Sequence, residues 1–441
     1  MTWHLMKLIW NRKRTNLLVM IEIFVSFLVL FSVVTLATFY ADNYRQPLGY
    51  RYDNVWNVEI DTNVRRRVAQ STNAQTDVEA ERQAENTRRM AQRETMGQLI
   101  RAIREFPEVV DVAGVDTTPF SFSSSQSAYD WGGFRIQYGY NEASDEFAGL
   151  MGLQVTRGRW FNREDEAPTT RTPVVINEEF VRKYFGSRNP LGQNIGPDKG
   201  GDGSPPERYN VIGVIAEFKE DGDFQASEPY VFGRKPLQGV ARAPREREEG
   251  GLTPRIAGLP RNLVIKVRPG TTAAFEEPLI RRMQDVARDW SFELEPLAEA
   301  RESSNTFRMA MPTVGAIIAF FLLLMVVMGL TGVLWQNVTQ RTKELGLRRA
   351  KGATAQRIHR QIIGEVTVLT AFAVLLGVAI VIQIPLESKF MEEMVGTLRP
   401  RVYGTGLVIS LVTIYVLAWA AAWYPSKLAT RIQPAEALHY E

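Results

Sequence analysis

Four long apolar segments are the feature that most restricts how this 441-residue chain can fold. About 20 residues of α-helix cross the hydrocarbon core of a bilayer, and each segment is long enough to do so. The predicted transmembrane helices are residues 17–40, 312–335, 364–384 and 404–423. The first lies far from the other three in the sequence. Residues 41–311 are therefore predicted to form one large domain on a single side of the membrane.

Basic residues predict the orientation of these helices, because Lys and Arg are concentrated in the cytoplasmic loops of membrane proteins. Residues 1–16 contain basic side chains and no acidic one. The connector after the second helix, residues 336–363, is strongly basic and has Glu344 as its single acidic residue. Both segments are predicted to lie in the cytoplasm, together with the tail, residues 424–441.

This orientation predicts a multi-pass protein of the inner (cytoplasmic) membrane with both termini in the cytoplasm. Residues 41–311 are then periplasmic, and residues 385–403 form a second, short outer loop. Membrane lipid is consequently an expected partner.

Two β-α-β units are predicted near the ends of residues 41–311. Their four strands are residues 55–60, 109–115, 263–267 and 292–294. The first unit contains an apolar helical stripe (Met96, Leu99 and Ile103) that ends before Pro107, and the second has Leu279 and Met283 on one helical face. A long insertion separates the two units. They are predicted to be the two halves of one split domain, which pair with each other across the insertion.

The predicted fold class is therefore membrane α-helical, with four transmembrane helices and a large α+β extracytoplasmic domain. Its ferredoxin-like, split βαβ lobe comprises residues 41–119 and 259–300, and an inserted mixed-β lobe comprises residues 120–258. Within the insertion, Gly200–Pro206 and Ala241–Gly251 have the composition of mobile loops.

The composition argues against several function classes. A formal net charge of +3 is too small to predict nucleic-acid binding, and a chain without cysteine has neither disulfides nor thiolate metal ligands. Its three histidines are far apart in sequence, and no phosphate-binding loop, nucleophile elbow or H-E-x-x-H helix occurs. Acid-rich stretches, including Asp221–Asp223, are expected to be solvated loops. Catalytic, cofactor and metal sites are therefore predicted to be absent.

The connector between the second and third helices has the pattern of a short amphipathic helix. Apolar and charged residues recur at helical spacing from Arg341 to Ala350, Gly352 suits a left-handed C-cap, and Thr354 suits the N-cap of the next helix. From the pattern alone, two interpretations stay open. The connector is either a basic loop that fixes the topology or a docking helix for a cytoplasmic partner.

Stretches of the connector, the tail and the outer segment together resemble one family, the MacB/FtsX-type permeases of ABC transporters, which form the mechanotransmission class. The connector, residues 341–354, resembles the cytoplasmic coupling motif of that family, and Tyr424–Leu438 is similar to its C-terminal signature. The stretches of the outer segment that follow the periplasmic pattern of the family are Gly158-Arg159 with Asp165, Val174–Asn177, Phe185-Gly186, Asn189–Gly192 and Val211–Val214. The order of the spans also matches.

The resemblance implies a permease that forms a homodimer, or pairs with a related permease, and works with an ABC ATPase subunit. Because this sequence contains no phosphate-binding loop, the ATPase is expected on another polypeptide, which binds the ATP. The residues expected to couple to that ATPase are Arg341, Lys343, Glu344, Leu345, Gly346, Leu347, Arg348, Arg349, Ala350, Gly352, Ala353 and Thr354. Leu345 and Leu347 are expected to be the apolar anchors.

The predicted function is ATP-driven export or extraction of a drug, peptide or lipoprotein on the outer side of the inner membrane. For efflux, the resemblance also implies a periplasmic adaptor and an outer-membrane channel. Two alternatives stay open. The first is an ATP-driven regulatory scaffold that activates a periplasmic cell-wall hydrolase, and the second is a membrane-anchored sensor that works without an ATPase.

Overall fold

The computed structural model describes residues 13–62, 78–123, 125–166, 172–197, 208–237, 258–383 and 400–431. The chain divides into two compact units. The membrane unit comprises Met1–Asn43 with Phe307–Glu441, and the sheet unit comprises Tyr44–Thr306. Most of the predicted outer loop (residues 385–403), the two predicted mobile loops, the first twelve residues and the tail beyond Arg431 lie outside the described residues.

Helices and strands alternate through the sheet unit, whereas the membrane unit is helical. In chain order the elements are α1 (Lys13–Tyr44), β1 (Val55–Asp61), α2 (Val78–Arg104), β2 (Val109–Val115), β3 (Gln126–Trp131), β4 (Phe134–Ala143), α3 (Phe147–Met151), β5 (Val155–Gly158), β6 (Thr172–Asn177), α4 (Glu178–Phe180), β7 (Asn194–Ile195), β8 (Tyr209–Ile215), β9 (Tyr230–Arg234), β10 (Asn262–Val267), α5 (Glu276–Val286), β11 (Ser291–Pro296), α6 (Leu297–Gln340), α7 (Thr342–Ala350), α8 (Ala355–Gln383) and α9 (Pro400–Arg431).

Among the described residues, four helices are long and apolar enough to cross a membrane: α1, α6, α8 and α9. Each contains one predicted span, except that residue 384 lies outside the described residues. The helices are longer than the spans because a helical hydrogen-bond ladder continues into polar sequence beyond the apolar stretch. The clearest case is α6, which begins at Leu297 and has Pro312 in its interior.

Buried side chains of all four helices form one apolar cluster in the membrane unit. It includes Phe27 of α1, Leu330 of α6, Val374 of α8 and Ala418 of α9. Because lipid tails are as apolar as these side chains, close van der Waals packing rather than a hydrophobic driving force holds such helices together.

The described residues of the sheet unit form one sheet of eleven strands, whose main path is β11–β1–β10–β2–β4–β9–β6–β8–β5. The strand β1 pairs antiparallel with both β10 and β11, and β10 pairs antiparallel with β2. The two predicted β-α-β units therefore pair across the insertion, as the sequence predicts.

Strands of the insertion continue the same sheet. The strands β2 and β4 are joined by a single register pair, Val115 with Ala143, and β4 then pairs in parallel with β9. Next, β9 pairs antiparallel with β6, and β6 pairs in parallel with β8. The division of residues 41–311 into two lobes stays a prediction, since one sheet runs through both.

Two helices, α2 and α5, contribute to an apolar core with strands of this sheet. Met96, Leu99 and Ile103 of α2 and Leu279 and Met283 of α5 are all completely buried in one cluster. Burying a side chain of this size contributes about 1.5–3 kcal/mol relative to leaving it exposed. The predicted apolar stripes are thus confirmed.

Candidate functional site

The connector between α6 and α8 contains a helix, as predicted. Only Arg341 separates α6 from α7, and α7 ends at Ala350. Backbone hydrogen bonds extend past both ends of α7, because the Leu345 N–H donates to the Arg341 carbonyl (2.9 Å) and the Lys351 N–H donates to the Leu347 carbonyl (3.0 Å). These bonds make the connector a defined structural element.

Both predicted caps are present. Gly352 has a φ of +93°, and the Ala353 N–H donates to the Arg348 carbonyl across 3.0 Å, which is the hydrogen bond of a Schellman motif. The Thr354 hydroxyl accepts from the Arg357 N–H in the first turn of α8, at 3.3 Å. The turn between α7 and α8 is therefore specified by local residue chemistry.

One face of α7 is buried in the membrane unit. Leu345 is only 5% exposed and belongs to the same apolar cluster as Val338, Ile358 and Ile362. Gly346 is buried as well. These two residues of the predicted coupling set therefore lie on the buried face of α7, and their coupling role stays a prediction.

A chain of polar contacts links α7 to α8. The Arg348 guanidinium donates to Glu344 (2.6 Å) and to the Gln361 side chain (2.7 Å). Gln361 in turn donates to Glu365 (3.2 Å), and Glu365 also accepts from Arg341 (3.1 Å). The Glu344–Arg348 and Arg341–Glu365 ion pairs are thus linked through Gln361. A displacement of α7 therefore also strains its contacts with α8.

The opposite face of α7 is exposed. Lys343, Glu344, Leu347 and Ala350 have helical spacing and are all exposed, and Leu347 has 52% of its surface accessible. Residues three and four positions apart are neighbours on a helix surface, so these side chains form one stripe with an apolar centre and a charged border. We call these four residues the exposed stripe. A surface of this kind suits contact with another protein.

Two residues of the polar chain were missing from the sequence-based set: Gln361 and Glu365 of α8. A signal for them exists in the sequence, because Glu365 is the single acidic residue within α8 and Gln361 lies four positions before it, on the same helical face. The Arg349 side chain lies outside what the structure describes.

Part of the C-terminal signature forms the last turns of α9. Tyr424 stacks on Trp335 of α6, with ring centroids 6.2 Å apart and an interplanar angle of 11°. The Lys427 ammonium lies 5.4 Å from the Trp423 ring centroid, and the His359 ring of α8 meets Trp423 edge-on. The remaining signature residues, 432–438, lie outside the described part of the chain.

The stretches of the sheet unit that suggested the family are brought together at β5, β6 and β8. Val174 of β6 is in register with Val211 of β8, and the Gly192 N–H donates to the Val211 carbonyl (2.8 Å). Arg159 forms two hydrogen bonds with Asp165, at 2.6 and 2.7 Å. These residues stabilise the sheet unit through strand pairing and ion pairing.

Burial favours a raised pKa for Asp165, but the hydrogen bonds and charge of Arg159, with the Asn162 N–H, hold the pKa of this carboxyl below its ordinary value. Within the residues that the structure describes, no group of three or more His, Cys, Asp or Glu side chains is arranged to hold a metal ion.

Two family models match the chain. The model of the MacB-like periplasmic core domain matches residues 17–281, and that of the FtsX-like permease C-terminal domain matches residues 316–434. The second match includes the whole of α7.

Individual proteins are similar as well. The macrolide export ATP-binding/permease protein MacB of Bdellovibrio bacteriovorus is 25% identical over 294 residues, which are 64% of this chain and 41% of that protein. The ABC transporter permease YknZ of Bacillus subtilis is 23% identical over 68% of this chain and 70% of its own length. The solved periplasmic region of MacB from Actinobacillus actinomycetemcomitans is 14% identical, with a TM-score of 0.33, and the match covers 58% of this chain and 94% of that region. The chain thus matches less than half the length of the curated MacB relative.

Proposed function

The chain belongs to the family with a MacB-like periplasmic core domain and an FtsX-like permease C-terminal domain, and from that premise we propose that it is the permease component of an ABC transporter. In this proposal a partner ATPase hydrolyses ATP, and its motion is received by the exposed stripe of α7. The motion then changes the conformation of the sheet unit on the outer side of the inner membrane. The observation that carries the proposal is a helix with one face buried in the membrane unit and the other exposed.

In this proposal one face of α7 contacts the ATPase and the other packs against the membrane helices. The exposed stripe provides Leu347 as an apolar contact, with Lys343 and Glu344 as charged contacts for a groove on the ATPase. On the other face, the packing of Leu345 and the polar chain through Arg348 hold α7 against its neighbours. A force on the stripe is therefore passed to the membrane helices instead of merely bending a loop.

The length of α6 supports the transmission of that force. It is a single helix of 44 residues, and its first ten residues belong to the sheet unit and the remainder to the membrane unit. A continuous helix is a stiff connection, because each turn is closed by backbone hydrogen bonds. Pro312 removes one donor from this ladder without ending the helix.

The basic connector supports a cytoplasmic location for α7 and both termini, and a periplasmic location for the sheet unit.

We propose a homodimer, or a pair with a related permease, that works with a separate ATPase. YknZ is named as a permease, which agrees with a separate ATPase, whereas the MacB relative is named as an ATP-binding/permease protein. The cargo is a drug, peptide or lipoprotein. The relative's macrolide export supports the first of these, with an adaptor and an outer-membrane channel as further partners.

The test is a charge reversal on the exposed stripe, Glu344→Lys, in the full chain purified with its ATPase and reconstituted into lipid nanodiscs. Like charges placed against a complementary groove weaken docking by several kcal/mol, so permease-dependent ATP hydrolysis should fall at least about tenfold. Unfolding of the permease should be unchanged, because Glu344 contributes only an exposed ion pair.

The sheet unit offers a matched control. Glu277 and Arg281 of α5 form an exposed ion pair with the same spacing of four residues as Glu344 and Arg348. Glu277→Lys should leave ATP hydrolysis unchanged. If both reversals lower hydrolysis equally, or neither does, the exposed stripe is not the docking surface. If no ATPase purifies with the wild-type chain, the permease proposal itself fails.

A further inference from the structure

The loop after β8 contacts the chain next to the ends of two membrane helices. Residues 216–224, which we call the junction loop, follow Ile215 and precede β9. All contacts described below lie within the sheet unit. The sequence pattern suggested a solvated loop for Asp221–Asp223, but Asp223 is only 5% exposed, and the prediction is wrong for this residue.

The chain leaving α1 is bound to the junction loop by backbone and ring contacts. The Lys219 N–H donates to the Leu48 carbonyl (3.1 Å), and the Tyr50 hydroxyl donates to the Lys219 carbonyl (3.0 Å). Tyr44, the last residue of α1, stacks on Phe224 with ring centroids 5.7 Å apart. The chain leaving α1 thus contacts the loop at Lys219 and at its last residue, Phe224.

The first turns of α6 are bound to the same loop by charge. The Asp223 carboxylate accepts two hydrogen bonds from the Arg301 guanidinium (2.8 and 2.9 Å) and a third from the Asn305 amide (2.8 Å). Arg301 also donates to the Tyr52 hydroxyl (2.7 Å), and its guanidinium lies 4.5 Å from the Tyr52 ring centroid. The carboxylate is nearly inaccessible, with 7% of its side chain exposed.

This pair is ionised and directional. Burial favours a raised pKa, but the hydrogen bonds from Arg301 and Asn305 and the positive charge of Arg301 hold the pKa of Asp223 below its ordinary value. A guanidinium bound through two parallel hydrogen bonds is fixed in orientation as well as in distance. Apolar contacts do not restrict rotation in this way, so the pair resists both separation and twisting.

The junction loop is itself held to the sheet. The Glu220 carboxyl group accepts from the Tyr230 hydroxyl of β9 (2.7 Å), and the Glu220 carbonyl accepts from the Phe120 N–H (3.0 Å). Within the loop, the Lys219 ammonium donates to the Asp223 carbonyl (2.8 Å). A displacement of the loop is consequently also a displacement of the sheet strands next to it.

We infer that the junction loop fastens the ends of both α1 and α6 to the sheet, and that Asp223 is the positioning residue through which movement of α6 reaches the sheet. The inference rests on the proposed function for the origin of that movement. It adds the element of the sheet unit that receives it, which neither the family models nor the relatives specify.

The test replaces Asp223 with asparagine in the full chain, in nanodiscs, and follows amide hydrogen exchange by mass spectrometry. Without ATP, exchange in residues 297–306 and 216–224 should become about tenfold faster, as expected for loss of a charge-assisted pair. With the ATPase and ATP, the wild-type protein should show a change of exchange in residues 208–237. Asp223→Asn should lose this change and yet retain ATP hydrolysis.

Asp165→Asn is the matched control. Asp165 also accepts two hydrogen bonds from an arginine and one from a further donor, and its side chain is likewise 7% exposed, but these donors, Arg159 and Asn162, belong to neither α1 nor α6. The control should keep normal exchange at residues 297–306 and the ATP-linked change.

Arg301→Lys replaces Asp223→Asn in the test if the asparagine variant does not fold. It retains the charge without the paired geometry, so it should show the effect expected of Asp223→Asn in weaker form.

The outcomes separate the two hypotheses. If Asp223→Asn and Asp165→Asn give the same exchange at residues 297–306 without ATP, the fastening role is overturned. If fastening is lost but the ATP-linked change persists, the transmission role is overturned. If the wild-type protein shows no ATP-linked change while Asp223→Asn still loosens residues 297–306, the proposed function fails and the fastening role stands.

Discussion

The connector helix α7 and the junction loop use the same chemistry in opposite settings. Each has an arginine–carboxylate pair, but the side chains of Glu344 and Arg348 are 48% and 36% exposed, whereas those of Asp223 and Arg301 are 7% and 25% exposed. Exposed pairs contribute little to stability and are available to partners, whereas buried pairs make the fold depend on both members. The difference supports the docking role that we propose for α7 and the fastening role that we infer for the junction loop.

Two glycines next to these regions are matched in backbone conformation. Gly49 and Gly352 have φ values of +87° and +93°. A Cβ added to Gly49 would lie 1.7 Å from the Glu217 carbonyl oxygen in the junction loop, but one added to Gly352 would have no atom within 4 Å. Both glycines therefore require a positive φ, but only Gly49 is closely surrounded by other atoms.

The largest effect is expected for Gly49→Ala. The substitution forces the backbone of residues 48–51 away from the junction loop, in addition to the strain of a positive φ, so the free energy of unfolding should fall by about 3 kcal/mol or more. Gly352→Ala should cost only about 1 kcal/mol, the strain of a left-handed residue in open space. Thermal unfolding of the full chain, followed by tryptophan fluorescence, measures both. Equal losses would show that the junction loop is not closely packed on residues 48–51.

The sequence predicts the elements that depend on local patterns. The stripe of Met96, Leu99 and Ile103, the cap at Gly352 and the cap at Thr354 all follow from residues within a few positions of one another. The long-range contacts could not be predicted in this way. The pairing of Val115 with Ala143 and of Asp223 with Arg301 depends on which strands and loops meet in space, and an acidic residue in a polar loop has no local signal for burial.

The candidate site shows the same limit. Helical spacing predicted an amphipathic α7 but did not reveal which face is buried, because Leu345 and Leu347 are equally apolar. Packing against Val338 and Ile358 decides that Leu345 is buried and Leu347 exposed. The anchoring role expected of both leucines stays a prediction, and Leu347 is the one of the two whose side chain is exposed.

A second prediction uses Glu220 of the junction loop. Burial, together with the negative charges of Asp221 and Glu228, raises the pKa of Glu220 to about 8, although the hydrogen bond from the Tyr230 hydroxyl opposes the rise. The native state therefore retains a proton that the unfolded chain loses near pH 4.5. The resulting stability is fully present below that pH, declines as the pH rises and is lost once the pH passes about 8.

Between pH 6 and pH 8 this group should lower the free energy of unfolding by up to about 1.4 kcal/mol per pH unit. Glu220→Gln keeps an acceptor for Tyr230 and should flatten the decline. Unfolding of the full chain at pH 6, 7 and 8 measures the slope. Asp165→Asn is the control, because the lowered pKa of Asp165 matters only in acid, so this variant should lower stability by the same amount at each pH. An unchanged slope in Glu220→Gln would contradict the assignment.

The smallest effect on stability is expected when the Arg341–Glu365 and Glu344–Arg348 ion pairs are broken one at a time. The side chains of Arg341 and Glu365 are 16% and 17% exposed. Within the described part of the chain, Arg341→Gln leaves this shielded carboxylate with Gln361 as its remaining donor, and should cost about 1–2 kcal/mol of unfolding free energy. Arg348→Gln breaks the more exposed pair and should cost less than about 1 kcal/mol. Thermal unfolding of both variants in detergent, at low and high salt, measures the difference.

High salt should reduce the stability that the Arg348 pair contributes and leave the contribution of the Arg341 pair unchanged, since ions screen exposed charges more than shielded ones. If Arg348→Gln is the more destabilising variant, the Glu344–Arg348 pair is a structural contact, and the availability of Glu344 to a partner loses its physical basis.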